Sequence, residues 1–437
     1  MVTGYYEPPA TFGPGDPRET AFSELWGYFL ARYDPAGALE WVRWSRYSYG
    51  YAVAALADGT ILVGGGFVGS SVFGTGDLTE TTVTAVGDWY DAFIARYSPV
   101  GVLEWVEQAG GPDAADTYGD FVNGIDVGAD ETVYVTGEFT DTVTFGVLEV
   151  GETSLVSAGG TDVFVARLAA DGSTLWARRV GGVDNDYGQG IAVLSDGSAV
   201  VAGLFRETAT FGAGEAGETV LTSAGGQDGF VARYGADGAL LWVRQFGASG
   251  SDWALGVSAA PGDAAVVTGM FVGTVALGAG EPGATTLMSD SYDLMVARYG
   301  PDGSLDWANS AEGTDGTDEH DTGTGVSVLS DGTVIVGAYF SSSITFATGL
   351  PEEITLASDG SYDGCVAEFA ADGTFRWARR LGGAGGDFLR SVSATASGAI
   401  LGTGSFHDTA VFGPGEAGAT TLTSGGEGDV FVMSLAR

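Results

Sequence analysis

The chain contains no lysine: all 17 basic residues are arginine, set against 57 acids, for a formal charge of −40 over 437 residues. Such a balance repels nucleic acid and anionic membrane surfaces. It excludes nucleic acid as a partner and suits a cationic partner or bound divalent ions. A single cysteine, Cys365, rules out an internal disulfide. It stands where other copies of the same segment carry Phe or Met, so it reads as a small buried apolar residue. Only two histidines occur, His320 and His407, in different loop types. Two His and one Cys without ligand spacing make no zinc set, and a His320-based triad has no specified nucleophile. No run of 18 apolar residues is present, so no membrane-spanning helix is expected. The first twenty residues show neither a basic start nor an apolar h-region, so no signal peptide is visible. What the chain has instead is glycine: 74 of them, without Pro-rich or Ser-rich tracts, which points to turns and short strands.

At this length one continuous core would be oversized, but a repeat array avoids that limit because each unit packs on its neighbours. The repeat is legible in a tryptophan series at Trp41, Trp105, Trp176, Trp242, Trp307 and Trp377. Before each Trp lies an alternating strand, FLARY, FIARY, FVARL, FVARY, MVARY or CVAEF, and FVMSL follows near the chain end. An Asp leads most copies (Asp91, Asp162, Asp228, Asp293, Asp363, Asp429), with Gly27 departing in the first. Between these hairpins lies a second strand pair around Asp-Gly turns such as Asp58-Gly59 and Asp331-Gly332, a strong hairpin signal. Each unit is therefore four antiparallel strands, A to D, with the Trp on D. The units span about 1–44, 45–108, 109–179, 180–245, 246–310, 311–380 and 381–437.

An aromatic ending strand B is followed six residues later by the Phe of a TFG-like triplet, as in Phe139/Phe145 and Phe205/Phe211. Two positions before that aromatic stands a glycine (Gly65, Gly137, Gly203, Gly269, Gly404), expected at a bulge or a close backbone approach. The B–C excursion of about 20–25 residues reads as a small extra hairpin, placed either in the sheet or off it as a lid. In this register Met1 falls inside a B strand. The ends lack one D and one A strand, the expectation being a start that has lost roughly 30–40 residues and any signal peptide.

Small four-stranded antiparallel units with tight turns and one large aromatic each are what a β-propeller requires. The expected fold class is all-β: a seven-bladed β-propeller of four-stranded antiparallel blades, with first and last units incomplete. The segments GIDVGADETVYVTGEF (Gly124 to Phe139) and GTDVFVARL (Gly160 to Leu168) resemble the bacterial β-propeller repeat family often called SBBP. The resemblance covers essentially the whole chain. It implies a propeller and an extracellular or cell-surface setting, and it carries no catalytic motif.

Strand parity puts the A–B and C–D turns at one end of each unit and the long B–C and D–A connections at the other. Variable loops on a rigid scaffold are where binding usually resides, so the long-loop end is the candidate binding face. Its acids are candidate Ca²⁺ ligands: Asp315, Asp318 and Asp321 in the densest cluster, and Asp184 and Asp186 in VDNDYGQG. Trp89, Trp253 and Asp252 are candidate ligand contacts, because the two tryptophans break the repeat near that face. The repeated tryptophans read as packing between blades. The repeated arginines (Arg96, Arg167, Arg233, Arg298) read the same way, paired to the Asp that leads their strand. The expected function is a monomeric, non-catalytic scaffold binding a protein or glycan. The alternative is an extracellular glycosidase or lyase using carboxylates at the mouth of the central channel.

Overall fold

Asp-Gly turns and β-branched runs specify hairpins, and hairpins fill the chain. In a computed structural model, described for all residues except 24, 113–118, 314–319, 396, 416–417 and 427, every described regular element is a β-strand. The third repeat shows the plan: A is Phe121–Val127, B is Val133–Phe139, C is Asp162–Leu168 and D is Thr174–Gly182. A pairs B, B pairs C and C pairs D, all antiparallel. The second, fifth and sixth repeats follow the same order. The first and last sheets are three-stranded among the described residues.

The described chain divides into two compact units. One comprises Met1–Val201, Thr208–Leu221 and Tyr234–Leu241; the second comprises Ala202–Glu207, Thr222–Arg233 and Trp242–Arg437. The dividing line runs through the strands of the fourth repeat.

The core of each unit lies between successive repeats. In the first, Leu62, Ile94 and Ala109 of repeat two meet Val133, Val135, Phe139, Phe145 and Phe164 of repeat three, all buried. In the second, Val266, Leu294 and Val296 meet Val334, Phe340, Phe346 and Cys365. Removing a side chain of this size from water contributes roughly 1.5–3 kcal/mol, which is why the alternating strands need a neighbouring repeat. The aromatic spaced six residues beyond strand B serves the same core: the rings of Phe145 and Phe164 sit 5.2 Å apart at 66°.

The extra hairpin of the B–C excursion is present, for example Thr142–Phe145 with Thr153–Val156. It is a staple rather than a lid. Its first strand pairs with the tail of the preceding D strand: Gly181 with Thr210, Ala311 with Phe346, Leu381 with Phe412. The glycine near the end of strand B marks a close approach, as its spacing suggested. A Cβ on Gly137 would lie 1.8 Å from the Phe121 carbonyl oxygen, where strand A carries a register shift.

Candidate ligand-binding surface

The two ends of the repeats are built differently, and the turn end is occupied by seams. The indoles of five of the repeated tryptophans donate to a carbonyl in the C–D turn of the next repeat: Trp41 to Pro99 (3.3 Å), Trp105 to Ala170 (3.1 Å), Trp176 to Ala236 (3.0 Å), Trp242 to Pro301 (3.0 Å) and Trp307 to Ala371 (3.0 Å). Three of the repeated arginines of strand C donate to the same carbonyls, Arg96 to Ala170, Arg167 to Ala236 and Arg233 to Pro301, whereas Arg298 donates to Pro261. This corrects the expected pairing with the leading Asp, which lies at the other end of the strand. Where the sixth repeat carries Glu368, that buried carboxylate pairs instead with Arg376 and with Arg437 of the next repeat.

A third contact completes five of the seams. Two residues after the Trp, Arg43, Arg178, Arg244 and Arg379 donate to the following turn, and Asn309 does so in the fifth repeat. The same four guanidinium groups lie 4.8–5.9 Å from the preceding Trp ring. The turn glycine lies beneath the indole, since only a residue without a Cβ combines positive φ with that contact. A Cβ on Gly238 (φ +82°) would come within 2.8 Å of the Trp176 ring. Repeat two departs: Glu107 takes the arginine position. Burial, with Glu149 and Asp171 nearby, pushes its carboxyl up to about 7.

The loop end contains a second recurring element, a pair of buried carboxyl groups in each of five repeats. The Asp leading strand C (Asp91, Asp162, Asp228, Asp293, Asp363) and the Asp before strand A (Asp120, Asp186, Asp252, Asp321, Asp387) are all buried. Both approach the glycine at the D-strand tail: a Cβ on Gly181 would lie 2.5 Å from Asp162 Oδ1 and 2.7 Å from Asp186 Oδ2. Asp162 accepts from Arg179 and Asp363 from Arg380, while Asp91 and Asp228 accept from Gln108 and Gln245. In the first repeat Gly27 replaces the Asp and Trp44 stands in the Arg/Gln position, so the two depart together. Burial pushes Asp252, Asp293 and Asp363 up to about 6, with neighbouring acids contributing.

Three of the site residues expected from sequence, Asp186, Asp252 and Asp321, belong to these buried pairs. Asp252 is a scaffold acid whose two oxygens accept from the amides of Ala248 and Val272, both at 2.8 Å. Asp186 accepts from the Gly182 amide, Asp321 from the Ser341 amide and Asp184 from the Asn185 amide. Asp315 and Asp318 lie outside the described residues. Among the described residues no group of three or more His, Cys, Asp or Glu side chains is placed to hold a metal ion. Trp253 does not break the repeat: it heads strand A as Tyr49, Phe121, Tyr187 and Phe388 do, and its indole donates to Gln227 (3.0 Å). His320 stacks on Tyr292 at 4.3 Å. Trp89 is 40% exposed and precedes Tyr90 at the start of a C strand.

Tyr90 leads to a feature that single positions did not reveal. At the loop end of the first unit, Tyr5, Trp26, Tyr47, Tyr49, Tyr51, Tyr90 and Phe121 form one connected aromatic surface. Tyr49 is central: Tyr5 meets it edge-on (5.3 Å, 76°), and Trp26 (5.0 Å), Tyr51 (5.9 Å, 8°) and Tyr90 (5.6 Å) lie around it. Tyr51 and Tyr90 both continue to Phe121, and Trp26 to Tyr47. Tyr5 and Tyr51 are about half exposed, at 53% and 50%. Glu138, opposite Phe121 in the sheet, accepts from Asn123 (3.0 Å), and burial pushes its carboxyl up to about 7. Its charge and the neighbouring tyrosines add to the burial that raises Tyr51.

No protein-family model matches the chain. It is similar to an uncharacterized WD repeat-containing protein, L264, of Acanthamoeba polyphaga mimivirus: 21% identical over 400 residues, covering 80% of this chain and 28% of that protein. The chain thus spans little more than a quarter of that relative. Among solved structures, a glucose dehydrogenase is similar at 14% identity and TM-score 0.36, covering 81% of this chain and 92% of the other. Sqt1 from Chaetomium thermophilum is similar at 13% identity and TM-score 0.29, with 84% of each chain covered. A Bacteroides caccae protein of unknown function reaches 10% identity and TM-score 0.36, covering 80% and 93%. Similarity this low transfers no activity. The chain is an all-β repeat protein of small antiparallel sheets, consistent with a β-propeller and similar to a WD-repeat protein.

Proposed function

We infer that the chain is a seven-bladed β-propeller of SBBP-like repeats, with incomplete first and last blades, acting as a non-catalytic binding scaffold outside the cell or on its surface. The observation that carries this reading is the contrast between the ends. At the turn end the recurring Trp and Arg side chains, and the turn glycines beneath the indoles, are engaged in seams. At the loop end of the first unit, seven rings are in contact and two tyrosines remain half exposed. Exposed aromatic groups clustered over a rigid sheet are a common basis for recognition of a protein or a glycan. The test is an array of oligosaccharides and peptides probed with the wild-type chain, Tyr51→Ala and the turn-end variant Val100→Ala. Ligands lost by Tyr51→Ala and kept by Val100→Ala support the reading; the reverse pattern refutes it.

A further inference from the structure

The second unit contains an aromatic corner built at the same repeat positions as part of this surface, and there the chain supplies its own ligand. Tyr339, from the end of a B strand, meets Phe388 at the head of the next A strand edge-on, at 5.1 Å and 76°. Tyr362, which precedes the leading Asp of strand C, lies against Phe388 at 5.3 Å and 33°. The equivalent residues in the first unit are Tyr5, Tyr49 and Trp26, at 5.3 Å and 76° and at 5.0 Å and 30°. The two corners are nearly superposable in distance and angle.

They differ in what covers them. In the second unit, two residues beyond Phe388, the Arg390 guanidinium lies 4.8 Å from the Phe388 ring and 5.5 Å from that of Tyr339. In the first unit the residue two beyond Tyr49 is Tyr51, which adds a further ring and no charge. The arginines that stack on rings in that unit do so elsewhere, over Trp41, Trp44, Tyr134 and Trp176. Ring faces attract cations through their quadrupole, and edge-to-face corners offer one such face beside another. The chain as a whole is at −40, so an approaching cation is drawn in rather than repelled.

Resting on the binding-scaffold reading above, we propose that the corner formed by Tyr5, Trp26, Tyr49 and Tyr51 binds the guanidinium group of an arginine presented by a basic polypeptide partner, in the way the Tyr339–Phe388 corner holds Arg390. A polypeptide fits better than a lone cation. The rings run on from Tyr47 through Trp26, Tyr49 and Tyr51 to Phe121 with neighbouring centroids 5.0–5.9 Å apart, which is longer than one guanidinium covers.

The test is calorimetric titration of the full chain with a tetra-arginine peptide and, separately, with a neutral oligosaccharide, maltohexaose. Tyr5→Ala removes the edge-on ring and should weaken peptide binding about five- to tenfold, the size of a partly desolvated cation–π contact. Tyr51→Arg lets the corner fill itself as Arg390 does; it should abolish peptide binding and leave the fold intact. Val100→Arg adds the same charge at a C–D turn, where the side chain is 69% exposed, and should leave binding unchanged. Equal binding by wild type, Tyr5→Ala and Tyr51→Arg overturns the proposal and assigns the affinity to diffuse surface charge. Maltohexaose binding sensitive to Tyr5→Ala, with no peptide binding, overturns the guanidinium assignment and leaves the loop-end reading standing. Binding of neither probe removes this surface as a ligand site.

Discussion

Glu107 is the one described member of its series with an acid where the seam takes a donor, and replacing it with arginine should stabilise the protein. Its neighbours are Glu149 and Asp171, and a Cβ on the turn residue Gly172 would contact its side chain. In the wild type, three carboxyl groups converge where other seams place a guanidinium against a carbonyl. A rise from the usual 4.5 to about 7 corresponds to roughly 3 kcal/mol at 1.36 kcal/mol per unit. Partial exposure reduces this, so about 1–2 kcal/mol is the expected cost of keeping Glu107 ionised. Because the folded-state value is raised, the group's favourable contribution is complete below pH 4.5 and is lost as pH rises through 7. Glu107→Arg removes that loss and adds a charged hydrogen bond to the turn. The assay is urea denaturation at pH 5 and pH 8. The variant should gain about 1–2 kcal/mol at pH 8 and clearly less at pH 5. An equal or lower stability at pH 8, or a gain independent of pH, would refute the seam reasoning.

Gly238→Ala, which forces a Cβ at φ +82° into the Trp176 ring, should cost about 2–4 kcal/mol, combining left-handed strain with overpacking. Gly262→Ala, at φ +81° with open space around it, should cost only about 1 kcal/mol by the same urea assay. Asp252→Ala leaves the Ala248 and Val272 amides without their acceptor. It should lower the melting temperature equally with and without about 1 mM Ca²⁺, well above sensor-type affinities; a deficit that appears only with Ca²⁺ would support a metal role instead. Burial alone would raise Glu368, but Arg437 and Arg376 hold it below the usual range. The stabilisation it provides is therefore present above its unfolded value and lost as pH falls through the folded one. Arg437→Ala should destabilise the chain by about 1–2 kcal/mol at pH 7 and converge on the wild type in acid titration.

The hairpins, their Asp-Gly turns, the strand-B glycine and the excursion hairpin could all be read from the sequence, because each depends on local spacing. The partners of those elements could not. The excursion hairpin pairs with the preceding D strand, and Arg96 reaches Ala170, 74 residues away; such contacts exist only once neighbouring repeats are in place. The part the acids play in the fold was hidden for a related reason. Asp186, Asp252 and Asp321 stand in loops that composition alone marks as acidic and solvated. The alignment of Asp186 and Asp252 one position before the A-strand aromatic, with Asp120 and Asp387, was the available sign of a shared role in the fold; Asp321 precedes Thr322 and lacks that sign. The aromatic corner was hidden because Tyr5, Tyr49 and Tyr90 each occupy an ordinary strand position and Trp26 directly precedes a strand, and only the shared loop end brings the rings together.

The division of labour between the two ends is tested most directly by the melting temperature of the double variant Tyr5→Ala/Tyr51→Ala beside that of Trp176→Ala. Removal of half-exposed rings that serve a ligand should leave the transition within a degree or two of wild type, as surface substitutions do. Removal of the buried seam indole should lower stability by about 3–5 kcal/mol. A double variant destabilised as much as Trp176→Ala would contradict the account, since the loop-end rings would then be holding the fold together.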